Sequence, residues 1–196
     1  MQWRKEPAGT PAVQKAMISE KDHPVTRAAA DRSPGVPPAA PFWSTAVATF
    51  GGVGRLRPGP GTWGSAVAVL LWWLFTRWVS PTWQPATAIC LALAAVLAGI
   101  PAATRVARAS GLKDPQFVVI DEVAGQLIAF IAVPLSWKSL LLGFILFRGF
   151  DMVKPPPIRS LERLPEGTGI VIDDVGAGLY ALAVMQLLLY FGLLPH

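Results

Sequence analysis

An all-α, polytopic membrane bundle of about five hydrophobic helices is what this sequence predicts, or four if one pair forms an interior hairpin. Apolar residues make up 53% of the 196 and charged residues only 15%, against about 25% charge in ordinary soluble domains. The apolar residues gather in long Leu-, Ala- and Val-rich runs that do not alternate, which favours helix over strand. The mean hydropathy is +0.46, too high for a disordered chain. A net charge of +5 can signal nucleic acid, but eight tryptophans and sparse charge point to a membrane surface as the partner. The single cysteine, Cys90, excludes an internal disulfide and a zinc cluster. The two histidines, His23 and His196, lie towards the two ends.

Residues 1–41 differ from the rest. They carry seven prolines and six basic residues with no sustained apolar run, and read as a flexible cytoplasmic extension with no secretory h-region. A short amphipathic piece is expected only around Val13–Ile18. Residues 42–196 form the membrane-embedded part. Five apolar segments follow in order: Ser65–Val79, Ala86–Ala103 (broken late by Pro101), Val123–Leu135, Ser139–Phe147 and Val175–Leu194. A crossing needs about 20 apolar residues, or about 17 at the short end. The second and fifth qualify outright. The first needs its flanks, and the third and fourth must recruit charged ends or form the hairpin. If the chain alternates across a bilayer, nine basic residues (Arg55, Arg57, Arg105, Arg108, Lys113, Arg148, Lys154, Arg159, Arg163) fall on one side and two (Arg77, Lys138) on the other. The positive-inside rule makes the rich side cytoplasmic. Trp72, Trp73, Trp78, Trp83 and Trp137 fall near expected exits, as an aromatic belt would.

Eight acids remain after residue 41, and five of them adjoin apolar segments: Asp121, Glu122, Asp151, Asp173 and Asp174. Under the alternating topology all five meet at the cytoplasmic boundary, where segment five begins with Asp174. Clustered carboxylates repel one another and lose hydration, so a positive partner must compensate. Hard cations do this best, and Mg²⁺ takes one or two carboxylates plus phosphate and waters. The plainer reading is that acids favour helix N-termini, but three groups converging on one side weigh against it. Arg148, Asp151 and Lys154 stand three apart, as an ion ladder or as phosphate grips around a metal-bound aspartate. Pro155-Pro156-Pro157 must end that helix. Gly125 and Gly178 follow Asp121 and Asp174 by four, which suits close approach of a ligand or of another helix.

Before segment one stands Arg57-Pro58-Gly59-Pro60-Gly61-Thr62-Trp63-Gly64-Ser65. A glycine-rich turn feeding a helix presents free N–H groups to an anion. Thr62 and Ser65 add hydroxyls and Arg57 a charge. Gly-Lys-Ser/Thr is absent, so this is no P-loop.

Together with Asp121-Glu122-Val123-Ala124-Gly125, Phe147-Arg148-Gly149-Phe150-Asp151-Met152-Val153-Lys154-Pro155-Pro156-Pro157-Ile158 and Gly169-Ile170-Val171-Ile172-Asp173-Asp174, that stretch closely resembles the phosphatidylglycerophosphatase A family, over roughly Ser44–Leu194. The resemblance implies a Mg²⁺-dependent lipid phosphatase of the bacterial inner membrane that converts phosphatidylglycerophosphate to phosphatidylglycerol. Where some members read Trp-Asp-Glu, this chain has Ile120-Asp121-Glu122, a change expected to leave the chemistry intact.

On this reading Asp121, Glu122, Asp173 and Asp174 hold Mg²⁺, and Asp151 is a further ligand or orients water. Arg148, Lys154 and Arg159 bind phosphate oxygens, with Arg57, Thr62 and Ser65 in an outer ring. Metal-activated water attack and an aspartyl-phosphate route both remain open; trapping a phosphorylated aspartate separates them. Cys90 is followed by Leu91-Ala92-Leu93 and residues 24–195 hold no histidine, so cysteine and histidine phosphatase chemistries are excluded. The rivals are a small carboxylate-based cation transporter and another membrane phosphotransferase. The first lacks an inverted repeat, and the second lacks the expected aspartate spacing.

Overall fold

The structure, a computed structural model, describes residues 39–194, and among them every regular element is helical. The expected extension up to residue 38, with Val13–Ile18, lies outside the described residues. In order come α1 (Phe42–Ala48), α2 (Pro60–Phe75), α3 (Gln84–Ser110), α4 (Ile120–Ala129), α5 (Trp137–Val153), α6 (Ile158–Leu161) and α7 (Glu166–Tyr190). Each of the five expected segments has its helix. The short α1 was not legible; it is held where the Ala48 carbonyl accepts from Val119 N–H at 2.8 Å.

Local chemistry explains the ends. Gly59 adopts φ 69° before α2 and Pro60 occupies its first turn, where a missing N–H costs nothing. Gly111 at φ 69° closes α3, a conformation glycine adopts without strain. The Ser136 hydroxyl caps α5 by accepting from Ser139 N–H at 3.1 Å. Lys154 at φ 47° ends that helix ahead of the three prolines, as expected.

Helix α3 is inside out relative to a helix of a soluble bundle. On α3 the buried face is Ala88, Ala92, Ala95, Gly99, Ala102 and Ala103, while Leu91, Leu93 and Leu97 point outward, Leu97 73% exposed. Small residues inside and large apolar ones outside are what helices packing in lipid require; on a soluble protein so much exposed leucine would be anomalous. Pro101 does not break α3, contrary to expectation. Burial of Ala102 and Ala103, with Gly99 against Ile120 and Val171, holds the helix together across it. Cys90 is exposed on α3.

Helix α4 lies at the centre, packed against α2, α3, α5 and α7, with all of its residues but Glu122 buried. Ten residues rise about 15 Å, half of the roughly 30 Å of a hydrocarbon core. Among the described residues, only α3 (with the turn Pro81–Trp83 before it) and α7 are long and apolar enough to cross a membrane. The expected count of about five crossings therefore does not follow from helix length, and α4 has the dimensions of an interior element. Gln186 of α7 donates to the carbonyls of Ile131 and Ala132 (2.9 and 3.3 Å), satisfying the turn into α5.

One end of the bundle carries exposed Trp78, Trp83 and Trp137; there the α2–α3 and α4–α5 connections line a common cavity of about 600 Å³. Trp72 is a correction to the belt: it is 3% exposed and packs in the main core with Ala68 and Leu127.

Candidate active site

The opposite end holds a polar cavity of about 350 Å³, where the N-termini of α2 and α4, the C-terminus of α5 and the first third of α7 meet. Helix α4 brings Asp121 and Glu122, α5 brings Arg148 and Asp151, and Lys154 follows α5. Helix α7 brings Asp173 and Asp174. Seven of the residues singled out in the sequence thus share one cavity.

The acids of α7 are not at its start. The helix begins at Glu166, so Asp173 and Asp174 lie about two turns inside it, and the cavity is recessed. The early start is secured where Gly167 packs on α3, its N–H donating to Thr104 Oγ1 at 3.2 Å. A bidentate Arg108–Glu166 pair (2.7 and 2.8 Å) also joins the two helices. It is exposed and adds little stability.

Asp121, Glu122 and Asp174 each place a carboxylate oxygen within 4.8 Å of the others. The close approach comes from glycine. Gly125 meets the Phe147 ring and the Asp174 carbonyl, and Gly178 meets the Gly125 backbone, so α4 and α7 cross nearly backbone to backbone. The packing reading of these glycines is the one the structure supports. Asp173 is the member of the expected metal set that lies apart: it pairs with Lys154 at 2.6 Å and accepts from Asp174 N–H at 3.0 Å. Successive helix residues point about 100° apart, so Asp173 and Asp174 face different partners.

Arg148 bonds Asp151 at 2.6 Å and reaches Glu122 at 3.7 Å. Lys154 leaves the helical ladder, because its left-handed backbone turns it towards Asp173 and, at 3.5 Å, Glu162. Burial pulls the Lys154 ammonium down, but the bond to Asp173 and the surrounding carboxylates outweigh it and raise it above the ordinary amine range. Burial raises the Asp114 carboxyl, with Lys154 opposing.

The outer ring divides. Gly59, Pro60 and Gly61 line the cavity, so the N-terminus of α2 faces it, and a Cβ on Gly61 would run into Glu122 Oε1 and lie 3.2 Å from Arg148 Nη2. Thr62 is exposed and outside the lining; Ser65 is buried and bonds its own helix at Gly61 O (3.0 Å). Arg57 lines a neighbouring cavity with Arg55, sharing Pro60, Asp114 and Gln116 with the first. Arg159 is exposed on α6, away from the lining. Asp114 and Gln116 line the site without having been singled out. Their one signal is a polar loop between two apolar helices on the basic-rich side.

Six carboxylates and two cationic side chains line this cavity, a surplus of four negative charges when all are ionised. A phosphate would be repelled unless a cation entered with it. Asp121 Oδ1 and Glu122 Oε2 are buried without a partner, and an all-oxygen carboxylate donor set suits a hard divalent ion. The residues present therefore fit Mg²⁺.

Among the described residues the fold and cavity define an all-helical apolar bundle with a carboxylate-and-cation pocket set into one end. Residues 46–189 match the family model of phosphatidylglycerophosphatase A. The chain belongs to that family, and hence to the phosphatases rather than to the transporters. It is 38% identical over 143 residues to a phosphatidylglycerophosphatase A of Haemophilus influenzae, covering 71% of this chain and 85% of that one. The phosphatidylglycerophosphatase A of Escherichia coli is 34% identical over 130 residues, 64% and 72% of the two chains. A Bacteroides thetaiotaomicron protein named "Putative phosphatidylinositol-3-phosphatase" is 33% identical over 150 residues, 74% and 92% of the two chains. No solved structure matches.

Proposed function

We propose that the chain is a Mg²⁺-dependent phosphatase that hydrolyses phosphatidylglycerophosphate to phosphatidylglycerol at the cytoplasmic face of a bacterial inner membrane. The observation that carries this reading is the trio Asp121, Glu122 and Asp174, the first two each with an unpartnered buried oxygen, beside Arg148, Lys154 and a helix N-terminus in one cavity. Mg²⁺ held by the trio would supply charge neutralisation for the phosphoryl group. Arg148, through its guanidinium fork, and Lys154, as a point charge, bind the phosphate oxygens, and the N–H groups of Gly61 and Thr62 at the start of α2 add to them. Phosphoryl transfer asks chiefly for positioning and charge stabilisation, which this set provides. Asp151, fixed by Arg148 at 2.6 Å, orients the attacking water or serves as a further ligand.

The lipid half has its own support. The outward leucines suit a bilayer, and a groove of about 680 Å³ runs along α2 and α3. Ile120, Val123 and Leu127 line it from the face of α4 turned away from Glu122, so a headgroup in the cavity leaves an apolar path for acyl chains. The basic-rich loops gather at the cavity end, which the positive-inside rule makes cytoplasmic.

Purified protein in detergent is expected to release phosphate from phosphatidylglycerophosphate with Mg²⁺, to stop in a chelator, and to resume when Mg²⁺ is restored. Release that is indifferent to the chelator would overturn the metal assignment, and faster release from phosphatidylinositol 3-phosphate would overturn the substrate. Arg148→Lys is expected to lower kcat/KM by about 100-fold with the protein folded, since an ammonium cannot bridge Asp151 and Glu122 as the fork does. A wild-type value would remove Arg148 from the phosphate site.

A further inference from the structure

Gln126 is fully buried, and neither its Nε2 nor its Oε1 has a hydrogen-bond partner. A buried amide with both ends unsatisfied is costly and rare. Helix α4 is otherwise apolar beyond Glu122, so a leucine or methionine would fill the position without that cost. A local violation of this kind is what functional or strained sites show.

Its place shows what the amide serves. Gln126 follows Glu122 by four residues and so lies one turn deeper on the same side of the helix. That side is the one Glu122 turns towards Gly61 of α2 and Arg148 of α5. Two more unpartnered buried atoms belong to that Glu122–Arg148 pair, Glu122 Oε2 and Arg148 Nε. The inventory is complementary: the Gln126 amide N–H₂ and Arg148 Nε donate, while Gln126 Oε1 and Glu122 Oε2 accept.

We propose that Gln126 is a positioning residue of the carboxylate centre, joined through buried water to Glu122 Oε2 on one side and Arg148 Nε on the other. The amide then forms the floor of the site: it fixes the rotamer of Glu122, which faces the cation, and of Arg148, which faces the phosphate. Buried waters with about three polar partners are ordinary parts of protein interiors, and groups orienting a metal's ligands tune its affinity. This rests on reading the carboxylate trio as a cation site.

The test uses the full chain in detergent with Gln126→Leu and, as a second shape, Gln126→Met. The thermal midpoint is measured in chelator and again with Mg²⁺ alone, and phosphate release is followed against Mg²⁺ and against lipid. In chelator the variants are expected to melt close to the wild-type midpoint, because the cost of burying the amide disappears together with the water-mediated bonds it makes. The Mg²⁺-induced rise in midpoint is expected to shrink, and the Mg²⁺ needed for half-maximal release to increase about tenfold. Either variant keeping the wild-type Mg²⁺ response would overturn the proposal, as would both failing to fold. A wild type with no Mg²⁺-induced rise would also overturn it. Should the wild type release no phosphate, the lipid-phosphatase reading falls, while the Mg²⁺-induced rise alone still decides the role of Gln126.

Discussion

Asp121→Asn is expected to lower phosphate release by roughly a thousandfold and to leave the protein folded. Asp121 is buried, its Oδ1 has no partner, and it shares a 4.8 Å neighbourhood with Glu122 and Asp174. Three carboxylates so close repel one another and have lost hydration. Neutralising one removes repulsion from the metal-free protein while taking a ligand from the cation. Activity and stability should therefore move in opposite directions, with the thermal midpoint in chelator unchanged or higher while turnover collapses. Asp174→Asn is expected to behave alike. Phosphate release and thermal unfolding of the same detergent preparations check both, and a wild-type rate in either variant would dissolve the site. A fall in both quantities would instead mark the acids as structural.

The largest effect on folding is expected at Gly125. A Cβ there would lie 2.6 Å from the Asp174 carbonyl oxygen and closer still to the Phe147 ring. Neither neighbour can yield cheaply: one is helix backbone and the other a fully buried aromatic ring. Gly125→Val must push α4 and α7 apart at the crossing that brings Asp121 to Asp174, at a cost of about 3 kcal/mol or more. Little folded protein is expected, with a sharply lowered thermal midpoint in what survives. Gly178→Ala strikes the same crossing, since its Cβ would fall 2.9 Å from Gly125 Cα. Gly149→Ala is the control: it lies in α5 with nothing within 4 Å of the added atom, so it should be neutral or slightly stabilising. Gly125→Val melting like wild type would refute the packing account.

Much of the candidate site is legible in the sequence. In so apolar a chain an acid near a helix is conspicuous, so Asp121, Glu122, Asp151, Asp173 and Asp174 declared themselves, and Arg148 and Lys154 followed from their spacing to Asp151. Asp114 and Gln116 were not legible, because a polar residue in a loop between helices carries no such contrast. Gln126 was missed for a different reason. Its amide bears no charge and sits inside a buried helix, and what singles it out is the lack of a partner, which a sequence does not display. Thr62, Ser65 and Arg159 were drawn in by proximity along the chain, yet Ser65 faces its own helix and the other two face outward. The five apolar segments likewise match five helices, but α4 ends at Ala129, six residues before its apolar run does, because the turn beginning at Phe130 lies inside that run.

The sequence by itself determined the helical class, the outward apolar surface and the supply of charged groups at one end, since each follows from composition and periodicity. Only tertiary structure decided which carboxylates come within 4.8 Å of one another, that Asp173 pairs with Lys154 instead, and that α4 is an interior helix. The reason is directional. Neighbouring helix residues point about 100° apart, and which of those directions meets another helix depends on contacts between residues far apart in the chain, such as Gly125 with Gly178 and Gly61 with Glu122.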